Sequence, residues 1–280
     1  MKPVKVCIGI PSYKGPHRDV FAAHYELMAY LGRLQERSHW MNAGFGENGA
    51  DAVTRYLETL PPLDQFAQDP DSELRPGDPP FQFFVADLVG YSLIGLARDQ
   101  IIKRALANNC DYVFFFDDDM AFPRSLFLKL WRHQKEFVCA LAFTSREPIS
   151  PVLYRFYEDW DPQNMRTKVW SEPIFDYPKE QLFRVDGTGT GVVLIKTDVF
   201  RKLQEPWFHG SMPTVGEDVY FSLRCKQAGI PIFCDSSAKT IHVPNELSYW
   251  MDESRYEERK DLTRRWWAQE RAPHFQEQRA

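Results

Sequence analysis

Apolar residues recur along this chain with two different periods, which predict strands and helices. The segment VKVCIGI (4–10) is short, apolar and rich in β-branched residues, which is typical of a buried strand. From Val20 to about Gln35, apolar residues recur at helical spacing. The chain therefore begins with a strand, a loop and a helix.

The alternation of strand and helix resumes after residue 80. FQFFVAD (81–87) predicts a second strand, GLARDQIIKRALANN (95–109) a helix, and DYVFFFDDD (111–119) a third strand. This order favours an α/β fold with a mostly parallel central sheet flanked by helices. Such sheets place their binding sites at the carboxyl ends of the strands.

The second half of the chain continues the pattern. SLFLKLWRHQ (125–134) predicts an amphipathic helix, FVCALAF (137–143) a strand, and 169–200 a hairpin-like region that ends in a glycine-rich loop and a strand. In the segment 216–235 we expect a helix that Gly229 ends, followed by a strand.

Two regions depart from this pattern. Between about 38 and 80 the periodicity fails and Gly, Pro, Asp and Asn accumulate, which predicts an irregular insertion, with a lid as one interpretation. The charged tail 246–280 predicts one more helix, packed on the body by Trp266 and Trp267. With 280 residues, 44% of them hydrophobic, the chain can bury the core of a single large domain.

Charge and cysteine usage exclude several classes. A net charge of -5 argues against a protein that holds nucleic acid mainly through phosphate contacts. The five cysteines are odd in number and scattered, without a C-x-x-C pair, so neither a disulfide framework nor a cysteine zinc site is indicated. We find no signal-peptide pattern and no membrane span, and expect a soluble cytoplasmic protein.

Three adjacent carboxylates, Asp117, Asp118 and Asp119, follow the apolar run of the third strand. In an extended strand Asp117 and Asp119 share one face. Two carboxylates about 5 Å apart repel by roughly 3 kcal/mol at an effective dielectric of about 20, and a divalent cation turns that repulsion into attraction. Hard oxygen ligands suit Mg²⁺ or Mn²⁺. The alternative is an acidic strand end that is solvated or caps the next helix.

Four segments, taken in order, resemble glycosyltransferases of the GT-A fold, particularly the family-2 type. They are VCIGIPSY, GLARDQIIKRAL, DYVFFFDDDMAFP, and GEDVYFSLRCKQAGIPIFCD with the following KTIHV, and together they span about residues 4–243. The resemblance implies a GT-A (Rossmann-like) fold. It also implies a hexosyl- or pentosyltransferase that moves a sugar from a nucleotide sugar to an acceptor hydroxyl.

The resemblance also implies a division of the chain. We expect a GT-A domain over 1–245, with a nucleotide-binding half at about 1–125 and an acceptor half at about 126–245. The tail 246–280 lies outside it.

Three residues are implied as metal ligands. Asp117 would lie near the ribose and the metal, Asp119 would bind the Mn²⁺ or Mg²⁺ that bridges the donor diphosphate, and His242 would complete the metal site. Asp118 is assigned to the nucleotide site. A lone histidine is more often structural, so the assignment of His242 rests on its place in the series.

Two carboxylates at the start of a helix are implied as catalytic residues. In inverting relatives the position of Asp218 carries the general base, and the preceding residue, here Glu217, positions the acceptor. In a retaining enzyme Asp218 would only hold substrate. Helix capping is the alternative for both residues.

The nucleotide contacts implied by the resemblance lie in two segments. Pro11, Ser12 and Tyr13 match the loop that holds the nucleobase. Arg98 matches a nucleotide or diphosphate contact, with a salt bridge to Asp117 or Asp118 as the alternative. Relatives carry Asn at the next position, where this chain has Asp99.

Sugar contacts are expected in two further segments. Asp186 and the loop from Gly189 to Gly191 match a loop under the donor sugar and acceptor, although a tight turn would also need glycine. Trp207, Phe208 and His209 precede the expected base and could stack on an acceptor or pack in the core.

Donor and acceptor stay open. A UDP-sugar donor is favoured only by its frequency in the family. The acceptor could be a soluble glycan, a small molecule, a protein or, for a phage enzyme in the host cytoplasm, a hydroxymethylated base of DNA. A sugar nucleotidyltransferase is disfavoured because PSYKGPHRD lacks a Gly-rich basic phosphate loop. A noncatalytic carbohydrate- or nucleotide-binding protein would not need both a base and a metal site.

Overall fold

A computed structural model describes most of the chain. The described residues are 2–12, 20, 23–24, 26–28, 30–32, 75, 78–89, 93–161, 165–208, 216–243 and 251–271. Most of the insertion expected at 38–80 lies outside these residues, as do Tyr13 and His209.

Strands and helices follow one another along the described residues, and six strands come in succession between residues 137 and 196. The strands are β1 (Val4–Ser12), β2 (Phe81–Val89), β3 (Tyr112–Phe116), β4 (Met120–Ala121), β5 (Phe137–Leu141), β6 (Leu153–Asp161), β7 (Arg166–Pro173), β8 (Leu182–Val185), β9 (Gly187–Thr188), β10 (Val192–Lys196), β11 (Ile232–Lys239) and β12 (Ile241–His242). The helices are α1 (Ile94–Ala107), α2 (Leu126–Arg132), α3 (Thr197–Lys202), α4 (Glu217–Gln227) and α5 (Glu253–Trp266), which continues as a π-helical turn, Trp267–Arg271. The described residues between 20 and 32 are also helical.

Seven of these strands form one mixed sheet in the order β2-β1-β3-β10-β5-β11-β8. The pairs β2-β1, β1-β3 and β5-β11 are parallel, whereas β10 and β8 run antiparallel to their neighbours. Five of the seven strands therefore point the same way. The predicted α/β class with a mostly parallel sheet flanked by helices is confirmed.

The sheet separates two apolar layers because successive side chains of a strand point to opposite faces. In β3, Val113 and Phe115 pack with residues of α1, α3 and α4. Phe114 and Phe116 pack with α2 and with the helical residues Leu27, Tyr30 and Leu31. Both faces of β3 are buried, which is why it reads as a continuous apolar run.

The acidic cluster does not continue the third strand, which corrects the expectation of an extended chain. β3 ends at Phe116, and the backbone N–H of Met120 donates to the carbonyl oxygen of Asp117 at 3.2 Å, which closes a turn. The chain turns here because β4 pairs antiparallel with β12, far along the sequence.

The tail helix α5 docks differently from the prediction. Tyr256 and Thr263 are buried, whereas Trp266 is 36% exposed. Trp267 does contact the body, with its ring 6.0 Å from that of Phe175. The helix therefore packs through the side that carries Tyr256.

The described helices include none that is long and apolar enough to cross a membrane. All five cysteines are buried free thiols.

Candidate functional site

Asp119 and His242 meet where two short strands pair. In the β4-β12 pair His242 lies opposite Met120, and the His242 Nε2 is 3.0 Å from the Asp119 Oδ2. The Nδ1 of His242 lies 2.9 Å from the carbonyl oxygen of Phe143. Because a carbonyl only accepts, Nδ1 carries a proton and Nε2 faces the carboxylate. Burial lowers the pKa of His242, but the Asp119 carboxylate outweighs burial and the pKa is raised.

This donor pair fits part of a divalent-cation site. A backbone carbonyl that fixes the tautomer of an imidazole is a common support for a metal-binding histidine. Within the residues that the structure describes, no group of three or more His, Cys, Asp or Glu side chains is placed to hold an ion. Asp119 and His242 would thus supply two ligands, leaving other positions to water and to phosphate oxygens of a substrate.

The carboxylate of Asp117 is held by an arginine. The Nη2 of Arg98 lies 2.7 Å from Oδ1 and 2.9 Å from Oδ2 of Asp117. Burial raises the pKa of Asp117 to about 6, with Arg98 opposing and Asp119 reinforcing the rise. Of the two roles considered for Arg98, the structure shows the salt bridge to Asp117.

The same arginine also contacts the start of α4. The Nη1 of Arg98 donates to the Glu217 Oε1 at 2.6 Å, and the guanidinium lies 5.6 Å from the centre of the Phe208 ring. Arg98 is only 2% exposed. The Arg98 guanidinium thus joins the acidic turn (residues 117–120) to the start of α4, the segment expected to carry the base.

Asp218 is a half-buried carboxylate in the first turn of α4. Its Oδ1 accepts a hydrogen bond from the backbone N–H of Val219 at 2.7 Å. Burial and the neighbouring Glu217 raise the pKa of Asp218, whereas Arg98 lowers it, and the net shift is upward. A carboxylate with a raised pKa is suited to accept a proton from a substrate.

The glycine-rich loop passes between the two acidic groups. A Cβ placed on Gly189 would lie 3.3 Å from the Asp218 Oδ2, and one on Gly191 would lie 3.7 Å from the Asp117 Oδ2. The backbone N–H of Asp117 also donates to the Gly191 carbonyl oxygen at 2.9 Å. A side chain at either glycine would occupy space beside a carboxylate.

The carboxylate of Asp186 is engaged within the protein. Its Oδ2 accepts from the backbone N–H of Phe156 at 3.0 Å and from the Nζ of Lys226 at 3.2 Å. These bonds join β6 to α4.

The aromatic pair before α4 belongs to the core. Trp207 and Phe208 are buried, and the Phe208 ring stacks on Phe221 with 4.3 Å between centroids. Their backbone N–H groups donate to the Asp99 Oδ1 at 3.2 Å and 2.9 Å. The structure thus shows the packing alternative and gives Asp99 a role that the sequence analysis missed. The only signal that the sequence offered for Asp99 is an acidic residue inside the predicted helix 95–109.

The remaining predicted residues lie at the end of β1 and in the acidic turn. Pro11 is buried and Ser12 ends the strand. Asp118 is half-buried within the turn. A further residue that the sequence analysis missed is His24, whose Nε2 contacts the carbonyl oxygen of Met120 at 2.9 Å.

Neither a protein-family model nor a curated protein sequence matches the chain. Among solved structures, A197 from STIV has a TM-score of 0.44 and 16% identity, covering 87% of this chain and 87% of that chain. The catalytic domain of Drosophila beta1,4galactosyltransferase 7, in complex with xylobiose, has a TM-score of 0.40 and 12% identity, covering 89% and 75%. CMP:2-keto-3-deoxy-manno-octonic acid synthetase with CTP has a TM-score of 0.37 and 12% identity, covering 84% and 89%. Likenesses at this level carry no argument about what the chain does.

Proposed function

We propose that the protein is a metal-dependent glycosyltransferase that moves a sugar from a nucleotide sugar to an acceptor hydroxyl. The observation that carries this proposal is the arrangement of carboxylates along the glycine-rich loop. The half-buried Asp218 lies at Gly189, and the Arg98-bound Asp117 lies at Gly191. The turn that contains Asp117 also carries Asp119, which pairs with His242.

Asp119 and His242 are the residues that hold the cation. Asp119 offers a hard oxygen, and His242 offers Nε2 because its Nδ1 proton is committed to Phe143. A bound Mn²⁺ or Mg²⁺ would neutralise negative charge on the diphosphate as it leaves.

Asp218 is the general base. Its carboxylate takes the proton of the acceptor hydroxyl as the acceptor oxygen bonds to the sugar carbon and the bond from that carbon to the diphosphate oxygen breaks. Burial raises the pKa of Asp218, which strengthens it as a proton acceptor. This arrangement gives inversion at the sugar carbon.

The donor is proposed to be a UDP-sugar. Acceptors to be compared are soluble glycans, small molecules, proteins and DNA with hydroxymethylated bases.

The first test is calorimetric binding of UDP, GDP, CDP and dTDP, each with and without Mn²⁺. We expect one nucleotide to bind only with metal. Asp119→Ala should abolish that metal-dependent binding, whereas the control Asp198→Ala, at an exposed carboxylate on α3, should retain it.

Turnover separates the roles of the carboxylates. Asp218→Asn should bind the nucleotide normally but transfer sugar about 10²- to 10⁴-fold more slowly. Full activity of Asp218→Asn would exclude it as the base. Failure of all four nucleotides to bind would overturn the proposal in favour of a noncatalytic protein.

A further inference from the structure

Arg98 connects two segments of the site that are far apart in sequence. Its Nη2 donates to Asp117, 19 residues away, and its Nη1 donates to Glu217, 119 residues away. Asp117 belongs to the acidic turn after β3, and Glu217 begins α4. The two elements are not neighbours in the chain, so their relative position depends on contacts of this kind.

The surroundings of Arg98 hold its guanidinium in place. The side chain is 2% exposed and lies 5.6 Å from the centre of the Phe208 ring. Its Nε is buried without a hydrogen-bond partner among the described residues. Both amino groups are therefore directed by the two carboxylates rather than by solvent.

The helix that carries Arg98 is packed closely against the base segment. A Cβ on Gly95, one turn earlier, would lie 2.6 Å from the Phe208 carbonyl oxygen and 3.4 Å from the Glu217 Cβ. The adjacent Asp99 accepts from the backbone N–H groups of Trp207 and Phe208. Three neighbouring positions of α1 thus fix the entry to α4.

We propose that Arg98 is a positioning residue that sets the start of α4, and with it Asp218, against the acidic turn, without itself touching the nucleotide. This inference rests on the proposed function, because it gives Arg98 its task within that site.

Only arginine has the shape for this task. The planar guanidinium divides its two amino groups between two carboxylates, whereas the ammonium of a lysine is a single point charge. Arg98→Lys should keep a cation beside one carboxylate and release the other. The more exposed of the two is Glu217, at 27% against 20% for Asp117.

The test measures release of nucleoside diphosphate from UDP-glucose, UDP-galactose, GDP-mannose and dTDP-glucose with Mn²⁺, using the full chain. Arg98→Lys should lower kcat about 10- to 100-fold through misplacement of the base, with KM for the donor within about threefold. Arg104→Lys, the same change at an exposed position of the same helix, should behave as the wild type.

A double-mutant cycle gives a result that a purely structural role would not give. In the Glu217→Ala background, Arg98→Lys should cause no further loss of kcat, because the contact between Arg98 and Glu217 is already gone. Glu217→Gln retains an acceptor oxygen for Arg98 and should turn over about tenfold faster than Glu217→Ala. This comparison applies even when Arg98→Lys does not fold.

Each other outcome overturns the inference. If Arg98→Lys has the kcat of the wild type, Arg98 forms an ion pair with a structural role only. If Arg98→Lys raises KM for the donor and leaves kcat unchanged, Arg98 contacts the nucleotide. Additive losses in the cycle, or equal rates for Glu217→Gln and Glu217→Ala, would also refute the coupling. A wild-type protein that neither binds a nucleotide nor releases one overturns the proposed function itself, and this inference with it.

Discussion

At the scale of single residues, the site depends on buried polar groups whose partners offset the loss of water. Arg98 neutralises carboxylates of two segments, and Asp99 accepts from two backbone N–H groups. Both side chains are nearly inaccessible to solvent. Removing one partner leaves a buried group unsatisfied, which is more destabilising than the loss of a surface ion pair.

His24 is another buried polar group, and its burial changes its pKa. Burial lowers the pKa of His24 to about 4, against the hydrogen bond to Met120 and the charge of Asp119. The unfolded chain therefore binds more protons than the folded chain between about pH 6.5 and 4, so stability falls as the pH falls.

We predict that His24→Gln removes part of this pH dependence. Between pH 7 and 4.5 the wild type should lose roughly 2 to 3 kcal/mol more unfolding free energy than His24→Gln. Urea unfolding with EDTA, at both pH values, measures the difference. Parallel losses in the two proteins would contradict a neutral, buried His24.

The sequence could locate Asp117, Asp118 and Asp119, because they follow the strongly apolar segment YVFFF, and it pointed to His242 only through the place of that residue in the series of matched segments. The sequence could not choose between a nucleotide contact and a salt bridge as the role of Arg98. The structure shows that Arg98 also binds Glu217, and a sequence pattern does not reveal a contact between residues 119 positions apart. Asp99 was missed for the same reason, since its partners come from the segment before α4.

At the scale of secondary-structure elements, the close approach of α1 to the segment before α4 shapes the site. Gly95 permits this approach, since an added Cβ would meet the Phe208 carbonyl oxygen at 2.6 Å. A backbone atom cannot move aside as a flexible side chain can.

We predict that Gly95→Ala destabilises the protein by about 1 to 3 kcal/mol through overpacking. Alanine gains helix propensity of up to about 1 kcal/mol, so a net loss shows that the clash dominates. Leu96→Ala, at a side chain that is 42% exposed, is the control and should change stability by about 0.5 kcal/mol or less. Chemical denaturation of both variants measures the effect, and a stabilised Gly95→Ala would show that α1 can shift away.

Element types were predictable where apolar periodicity was strong, as in β3 and α1. The turn at 117–120 was not, because the three carboxylates directly follow the apolar run and were included in the predicted strand 111–119. The turn is imposed by pairing between β4 and β12, a contact that local pattern cannot reveal.

At the scale of the whole molecule, the segment after residue 245 takes part in holding the site. The backbone of Met251 exchanges two hydrogen bonds of 2.9 Å with His242. Five residues on, α5 contains Tyr256, whose hydroxyl donates to the Phe175 carbonyl oxygen at 2.7 Å. The tail therefore reaches the expected metal ligand through its backbone.

We predict that Tyr256→Ala costs about 3 to 5 kcal/mol of stability and Tyr256→Phe about 1 kcal/mol. The first opens a cavity beside Phe143 and Tyr177, whereas the second removes only the hydroxyl. Leu262→Ala, at a position of α5 that is 55% exposed, is the control. Urea unfolding measures all three, and equal effects of the two Tyr256 variants would contradict the packing role of the ring.

The fold class followed from the alternation of strands and helices, but the sheet order did not. β10 lies between β3 and β5 and runs antiparallel to both, although it follows β5 by some fifty residues. Such an insertion is decided by packing across the whole sheet. The prediction that Trp266 packs the tail helix on the body was wrong for a related reason. The hydrophobicity of a residue alone does not tell which side of α5 contacts the rest of the protein.

Because all five thiols are buried, the native protein should react slowly with maleimides and other thiol reagents. A single cysteine introduced at an exposed position would carry a fluorophore without prior removal of native cysteines. Met165, directly before β7, is 79% exposed and suits this purpose. A dye at that position would report on whatever approaches β7 during turnover.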